Sequence, residues 1–115
     1  MNSILIDQNF TTFEPEGYIS AANSNEFLKK LISVIESSSD SALLIDMEKV
    51  EFMDSAGLMA LIEAFRIAKD MQRSISICSV APPVRMLFEL TQLDNVFNIV
   101  ESQEDLGLST PAMAA

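Results

Sequence analysis

The sequence predicts a single α/β domain whose sheet contains parallel strand pairs. Short apolar runs of strand length alternate along the chain with longer segments in which apolar residues recur every three or four positions. The first pattern is typical of buried strands and the second of amphipathic helices. Strands that alternate with helices pair in parallel through right-handed crossovers. A length of 115 residues, 49% of them hydrophobic, suits one domain with one core.

Two short strands are predicted near the start of this domain. Residues 10–13 alternate and are rich in β-formers, which favours a strand. The stretch 15–17 contains a proline and a glycine and predicts a turn. Tyr18 and Ile19 then open the second strand.

A helix over residues 23–37 and a buried strand come next. Asn23 is the expected N-cap, and Glu26 three residues later comes close to a capping box. The apolar stripe of this helix consists of Phe27, Leu28, Leu31, Ile32 and Ile35. After a polar loop, Ala42–Asp46 is a continuous apolar run that stops at an acid, as expected of a strand covered on both faces.

A second helix is predicted over residues 55–72. Its apolar residues recur at the spacing of one buried stripe. The stripe consists of Leu58, Leu61, Ile62, Phe65 and Ala68. Met59 lies one position off the stripe, on the side that carries Ser55, so we expect it to face solvent.

The remaining elements are shorter. Residues 74–80 predict a strand, and the prolines that open 82–90 suit the first positions of a helix. Residues 97–100 predict a final strand, and 102–108 one or two further helical turns. Residues 109–115 carry no core pattern, so we expect a domain over 1–108 followed by a disordered tail.

Charge and composition exclude several classes of protein. The formal net charge is −10, and the seven lysines and arginines form no dense patch, which argues against nucleic-acid binding. No apolar window approaches the length of a membrane span. The start lacks the basic region of a signal peptide, and the single cysteine, Cys78, excludes a disulfide framework. We therefore expect a cytoplasmic protein with an inert core thiol.

The residues needed for most catalytic and cofactor chemistry are missing. The chain has no histidine, which removes the Ser-His-Asp and Cys-His arrangements and the commonest metal ligand. Its three glycines form no phosphate-binding loop. Asp46 and Glu48 could pair for acid-base work, but no pocket motif accompanies them. We expect no enzyme activity, no cofactor and no metal site.

The junction between strand and second helix is the best candidate for a functional site. Asp54 is a good N-cap, because its carboxylate can accept hydrogen bonds from the free N–H groups of the first turn. Ser55 would then be the first helical residue, with its hydroxyl near the positive end of the helix. That position suits a phosphorylation switch, although serine is also an ordinary first-turn residue.

Four segments resemble the STAS domain, the fold of bacterial anti-sigma factor antagonists. The signature is 53–58, Met-Asp-Ser-Ala-Gly-Leu. The segments 16–19, 44–52 and 88–94 resemble the first glycine turn and strand, the central strand with its loop, and the last helix with its exit turn. Their order matches the family, and the resemblance implies a mixed sheet of about four or five strands with helices mainly on one face.

The resemblance also implies a function. In this family the serine that follows the aspartate is phosphorylated by a partner kinase that doubles as the anti-sigma factor, and by position that serine is Ser55. A phosphatase would reset it. The switch loop implied for partner binding consists of Met53, Asp54, Ala56, Gly57 and Met59. Gly57 is glycine either for close approach of a partner or for packing against the sheet.

Two other functions fit parts of the sequence. A STAS module that is not phosphorylated could bind a small ligand or a larger signalling assembly. A receiver domain also places an aspartate after a central strand, but the acidic pair and late lysine of its metal site are absent, since no lysine follows Lys69. The chain departs from the resemblance at Ser20, where an aspartate is frequent, and at Gln92, where glycine is usual.

Overall fold

The computed structural model describes residues 10–38 and 42–100, which form six strands and three α-helices. The strands are β1 Thr11–Phe13, β2 Glu16–Ile19, β3 Ala42–Asp46, β4 Lys49–Met53, β5 Ser74–Cys78 and β6 Asn98–Val100. The helices are α1 Ser24–Ser37, α2 Ser55–Asp70 and α3 Pro82–Leu90, followed by a short 3₁₀ turn, Leu93–Asn95. The α/β class is confirmed.

The strands form two sheets. One has four strands in the order β1-β3-β5-β6, and the other pairs β2 with β4. Every pair in the described residues is parallel. The ladder between β2 and β4 shifts register between Gly17 and Tyr18, where Gly17 has a φ of 82° that favours glycine.

All three helices bury their apolar sides in one core. The strands β3 and β5 contribute alternate residues, Leu43 and Ile45 from one and Ile75 and Ile77 from the other. The helical residues in the same cluster include Phe27, Leu31 and Ile35 of α1, Leu58, Leu61 and Ala64 of α2, and Val84 and Phe88 of α3. Because the same strand face meets every helix, the helices pack on one side of the sheet, as expected.

The predicted stripe of α2 faces the core, but its five residues are not covered equally. Leu58, Leu61 and Ala68 are buried as expected, but Ile62 and Phe65 are only half-buried. The fully covered face runs through the small residues Gly57, Ala60 and Ala64. Small side chains bury little surface and therefore contribute weakly to a hydrophobic pattern, yet they allow α2 to lie close to its neighbours.

Several element ends differ from the predictions. The helix α2 ends at Asp70, two residues early, because Gln72 adopts a left-handed φ of 61°. The N–H of Arg73 then bonds to the carbonyl oxygen of Ala68 at 2.8 Å, which closes a Schellman motif. The strand β5 ends at Cys78, since Ser79 has a φ of 58°.

One strand was missed, and two other expectations need correction. The sequence predicts no separate strand over Lys49–Met53, since 44–52 resembles the central strand with the loop that follows it, but Lys49–Met53 pairs with β2 as β4. The predicted turn at 15–17 is partly strand, because Glu16 and Gly17 belong to β2. Asn23 is the N-cap residue of α1, but its side chain makes no capping hydrogen bond to the helix. The predicted helical turns at 102–108 and the tail at 109–115 lie outside the described residues.

Candidate functional site

Ser55 lies at the junction between the end of β4 and the start of α2. It is the first residue of α2 and is exposed to solvent. The strands β2 and β4 run parallel, with Ile19 opposite Met53, so both strands end beside this helix N-terminus. The backbone N–H of Asp54 donates to the carbonyl oxygen of Ile19 at 3.0 Å, which joins the two strand ends.

Asp54 caps α2 and links it to the preceding turn. Its Oδ1 accepts hydrogen bonds from the backbone N–H groups of Ala56 at 2.9 Å and Gly57 at 3.1 Å. Its Oδ2 accepts from the N–H of Ala21 at 3.2 Å. One carboxylate therefore satisfies two free donors of the helix and holds the β2–α1 turn beside it. This confirms Asp54 as the N-cap.

The turn between β2 and α1 is closed by its own side chains. The side-chain oxygen Oδ1 of Asn23 accepts a hydrogen bond from the backbone N–H of Ser20 at 2.8 Å. Nδ2 of Asn23 donates to the backbone carbonyl oxygen of Tyr18 at 2.8 Å. The hydroxyl of Ser20 accepts from the N–H of Ala22 at 3.3 Å. Ser20, which stands where the STAS resemblance often has an aspartate, thus supports the turn that Asp54 contacts.

The residues of the predicted switch loop divide into exposed and buried positions. Ser55 is exposed, and Met59 has 61% of its surface exposed one turn further along α2. Met53 is fully buried and Gly57 is buried. These two residues can act only by positioning the others, since a partner cannot contact them while the domain is folded.

An exposed aromatic pair lies near the strand ends that precede α2, and the sequence pattern does not predict it. Tyr18 on β2 and Phe52 on β4 are opposite each other, with ring centroids 6.3 Å apart. They are 62% and 44% exposed. Each precedes the last residue of its strand, so the pair borders the N-terminus of α2. Aromatic residues predict strands but not their solvent-facing side, and β4 was not expected to be a strand at all.

The other candidate groups have structural roles. Asp46 Oδ1 accepts from the backbone N–H of Glu48 at 3.0 Å and closes the β3–β4 turn. Cys78 is buried, and burial raises the pKa of its thiol. Among residues 10–38 and 42–100 no group of three acidic or cysteine side chains could hold a metal ion. No helix in the same ranges is both long enough and apolar enough to cross a membrane.

Comparison with known proteins identifies a matching family and several similar proteins. The STAS domain family matches residues 3–106. An anti-sigma-B factor antagonist of Listeria monocytogenes is 28% identical over 72 residues, which cover 63% of each chain. The solved structure of an anti-sigma factor antagonist from Mycobacterium paratuberculosis is 24% identical with a TM-score of 0.76, covering 88% of this chain and 84% of that one.

The anti-sigma factor antagonist SpoIIAA is a further structural relative, at 15% identity. Its unphosphorylated form has a TM-score of 0.71 and covers 90% of both chains. A phosphorylated form of Bacillus SpoIIAA has a TM-score of 0.63, covering 86% of this chain and 89% of that one. At this identity the likeness concerns the fold, while the family match spans most of the sequence. The chain belongs to the STAS domain family.

Proposed function

We propose that this protein is an anti-sigma factor antagonist, or a closely related antagonist in a partner-switching circuit, whose Ser55 is phosphorylated by the kinase that it binds. The observation that carries the proposal is the placement of Ser55, which is exposed at the first position of α2, directly after the Asp54 cap that joins this helix to the β2–α1 turn. A protein kinase needs an accessible hydroxyl in its substrate. SpoIIAA, a relative in fold, has been solved in a phosphorylated form.

The docking face consists of Ser55 with the exposed side chains of Tyr18, Phe52 and Met59. Tyrosine, phenylalanine and methionine are enriched at protein interfaces, because they bury much surface and adapt to a partner. The net charge of −10 would steer the chain towards a basic kinase. In this proposal the protein is a cytoplasmic substrate without enzyme activity, and ATP belongs to its partner.

Phosphorylation would release the partner. A phosphate adds about −1.5 to −2 charges at pH 7. At a docked interface that charge must lose its water, and an unpaired buried charge costs about 3–5 kcal/mol. Since about 2.7 kcal/mol is a hundredfold in affinity, the phosphorylated protein would dissociate until a phosphatase resets it.

Affinity capture with matched baits tests this proposal. Unphosphorylated wild type and Ser55→Ala should retain a serine kinase from the native cell, whereas Ser55→Asp should not. Ser33→Asp is the control for added charge, because Ser33 is exposed on α1, and it should retain the kinase. The captured kinase with ATP should label wild type, and mass spectrometry should place the phosphate on Ser55.

Two results would contradict the proposal. The first is phosphate transfer by the captured kinase to Ser55→Ala at the wild-type rate. The second is undiminished kinase binding by protein fully phosphorylated at Ser55. The first result would place the phosphate on another residue, and the second would favour a module of this family that is not switched by phosphorylation of Ser55.

A further inference from the structure

A cavity of about 470 Å³ lies beside the C-terminal half of α2. Its walls include Ile62 and Phe65 of α2, together with Leu93, Val96 and Phe97 from the segment that leads into β6. The rings of Phe65 and Phe97 are in contact, with centroids 4.4 Å apart and planes tilted by 39°. Pockets for small molecules typically enclose about 300–1,000 Å³ and are mainly apolar, and this cavity meets both conditions.

Positive charge collects at this cavity although the chain is strongly acidic. Arg66, Lys69 and Arg73 line it, which is three of the seven cations in a chain with a net charge of −10. Arg66 forms ion pairs with Glu63 and Asp70. These three cations and two carboxylates together carry a net charge of +1, in contrast to the acidic chain as a whole.

The three cations are engaged to different degrees. Arg66 shares its charge with two carboxylates, and Arg73 donates through Nη1 to the carbonyl oxygen of Ser38. Lys69 makes no ion pair with any residue in the part of the chain that the structure describes. Lys69 is thus the cation best able to receive an anionic group that enters from outside.

We propose that this cavity binds a single-chain amphipathic carboxylate, such as a medium-chain fatty acid. The acyl chain lies against Phe65, Val96 and Phe97, and the carboxylate meets Lys69 at the mouth. Val96 is 64% exposed, and a bound acyl chain would cover it. A nucleotide fits less well, because no glycine lies at the cavity to let a backbone cradle phosphates.

This inference does not rest on the proposed switch. Ser55 and Lys69 are fourteen positions apart on α2, which at 1.5 Å per residue is about 21 Å along the helix. A ligand bound at the C-terminal half would leave Ser55 accessible. The cavity would therefore be a separate ligand site on the same helix.

Titration of the full chain with hexanoate, octanoate and decanoate, all kept below micelle formation, tests the proposal. Isothermal calorimetry gives the affinity, and amide chemical shifts locate the site. Burial of each added methylene should tighten binding about fourfold. Octanol and octylamine have the same chain without the anionic head and should bind about twofold to fivefold more weakly than octanoate.

Two variants locate the head and the chain. Lys69→Glu should weaken the binding of octanoate about fivefold. The control Lys29→Glu makes the same charge change at an exposed position of α1 and should bind like wild type. Val96→Ser should weaken the binding of decanoate more than that of hexanoate, since a longer acyl chain covers more of the cavity wall.

The outcomes separate the alternatives. Chemical-shift changes at residues 62–69 and 93–98, with chain-length dependence and the effect of Lys69→Glu, would support the site. Absence of binding, octylamine that equals octanoate, or equal weakening by Lys29→Glu and Lys69→Glu would overturn it. Binding only to anionic lipid vesicles, with no affinity for free octanoate, would overturn it as well.

Discussion

Gly57 packs against Ile19 so closely that a side chain at Gly57 has no room. A Cβ there would lie 2.9 Å from the carbonyl oxygen of Ile19, and 2.8 Å from Cγ of Met53. Of the two reasons for a glycine that the sequence left open, packing against the strand ends is thus supported by a direct contact. The N-terminus of α2 is held against β2 and β4, which fixes where Ser55 is presented.

Gly57→Ala should destabilise the domain by about 1–3 kcal/mol, the usual range for overpacking. The carbonyl oxygen of Ile19 cannot move freely, because it accepts a hydrogen bond from the N–H of Asp54. Urea denaturation followed by circular dichroism measures the change. The neighbouring control is Ser55→Ala, which is exposed and should stay within about 0.5 kcal/mol of wild type. Equal stability of both variants would show that α2 shifts without cost.

Asp54→Ala should destabilise the domain by about 1–2 kcal/mol, since loss of an N-cap is typically of this size. The N–H groups of Ala21, Ala56 and Gly57 would all lose their side-chain acceptor. Asp54→Asn keeps a carbonyl oxygen at Oδ1 and should therefore lose less stability than Asp54→Ala. Thermal melts of the two variants give the comparison. If Asp54→Asn is as unstable as Asp54→Ala, the negative charge matters more than the hydrogen bonds.

The sequence allowed prediction of the elements with strong local signals. Asp54 could be assigned as a helix cap, because an acid and a hydroxyl directly precede a segment with helical apolar periodicity. The strand β4 could not, because its Lys49–Met53 pattern exposes Glu51 and Phe52 in succession and so breaks the alternation of a half-buried strand. Gly17 pairs with Val50 and Tyr18 with Phe52, so Glu51 is an extra residue on β4, which only the pairing itself reveals.

The cavity and the aromatic pair also depend on tertiary contacts. Phe65 and Phe97 are 32 positions apart in the sequence, yet their ring centroids lie 4.4 Å apart. No local pattern links them. Tyr18 and Phe52 meet for the same kind of reason, through the pairing of β2 with β4. Single-sequence periodicity identifies which residues are apolar but not which distant segment covers them.

Phe65→Ala and Met59→Ala should separate fold from surface. Phe65 is half-buried against Phe97, so its truncation should cost about 3 kcal/mol, the low end of the range for buried phenylalanine. Met59 is 61% exposed, and its truncation should change stability by no more than about 0.5 kcal/mol. Thermal unfolding of both variants measures this. Equal losses would mean that the exposed face of α2 is assigned wrongly.

Gln92→Gly should stabilise the domain by about 1 kcal/mol, because a left-handed backbone strains every residue except glycine. Gln92 has a φ of 63° directly after α3 and its capping residue Thr91. Gln92→Ala keeps the strain and is the control, which should be no more stable than wild type. Chemical denaturation decides between them. A glycine variant that only matches the alanine variant would show that the strain at this position is negligible.

Phosphorylation of Ser55 should leave the domain folded and change its stability by less than about 1 kcal/mol, the scale of a charge at a helix end. The helix N-terminus attracts the phosphate, but Asp54 already occupies the N–H groups of Ala56 and Gly57 and repels a second anion. Replacing Asp54 with asparagine removes this repulsion.

The change in the free energy of unfolding on phosphorylation should therefore be more stabilising, by about 0.3–1 kcal/mol, in Asp54→Asn than in wild type. Four melts at low salt, with and without phosphate on each protein, give the coupling between the two sites. High salt should shrink the coupling, since exposed charges are screened. A phosphate effect that is the same in both proteins would show that Asp54 and the phosphate do not interact. Unfolding of the phosphorylated wild type would mean that the modification acts on this domain and not on its partner.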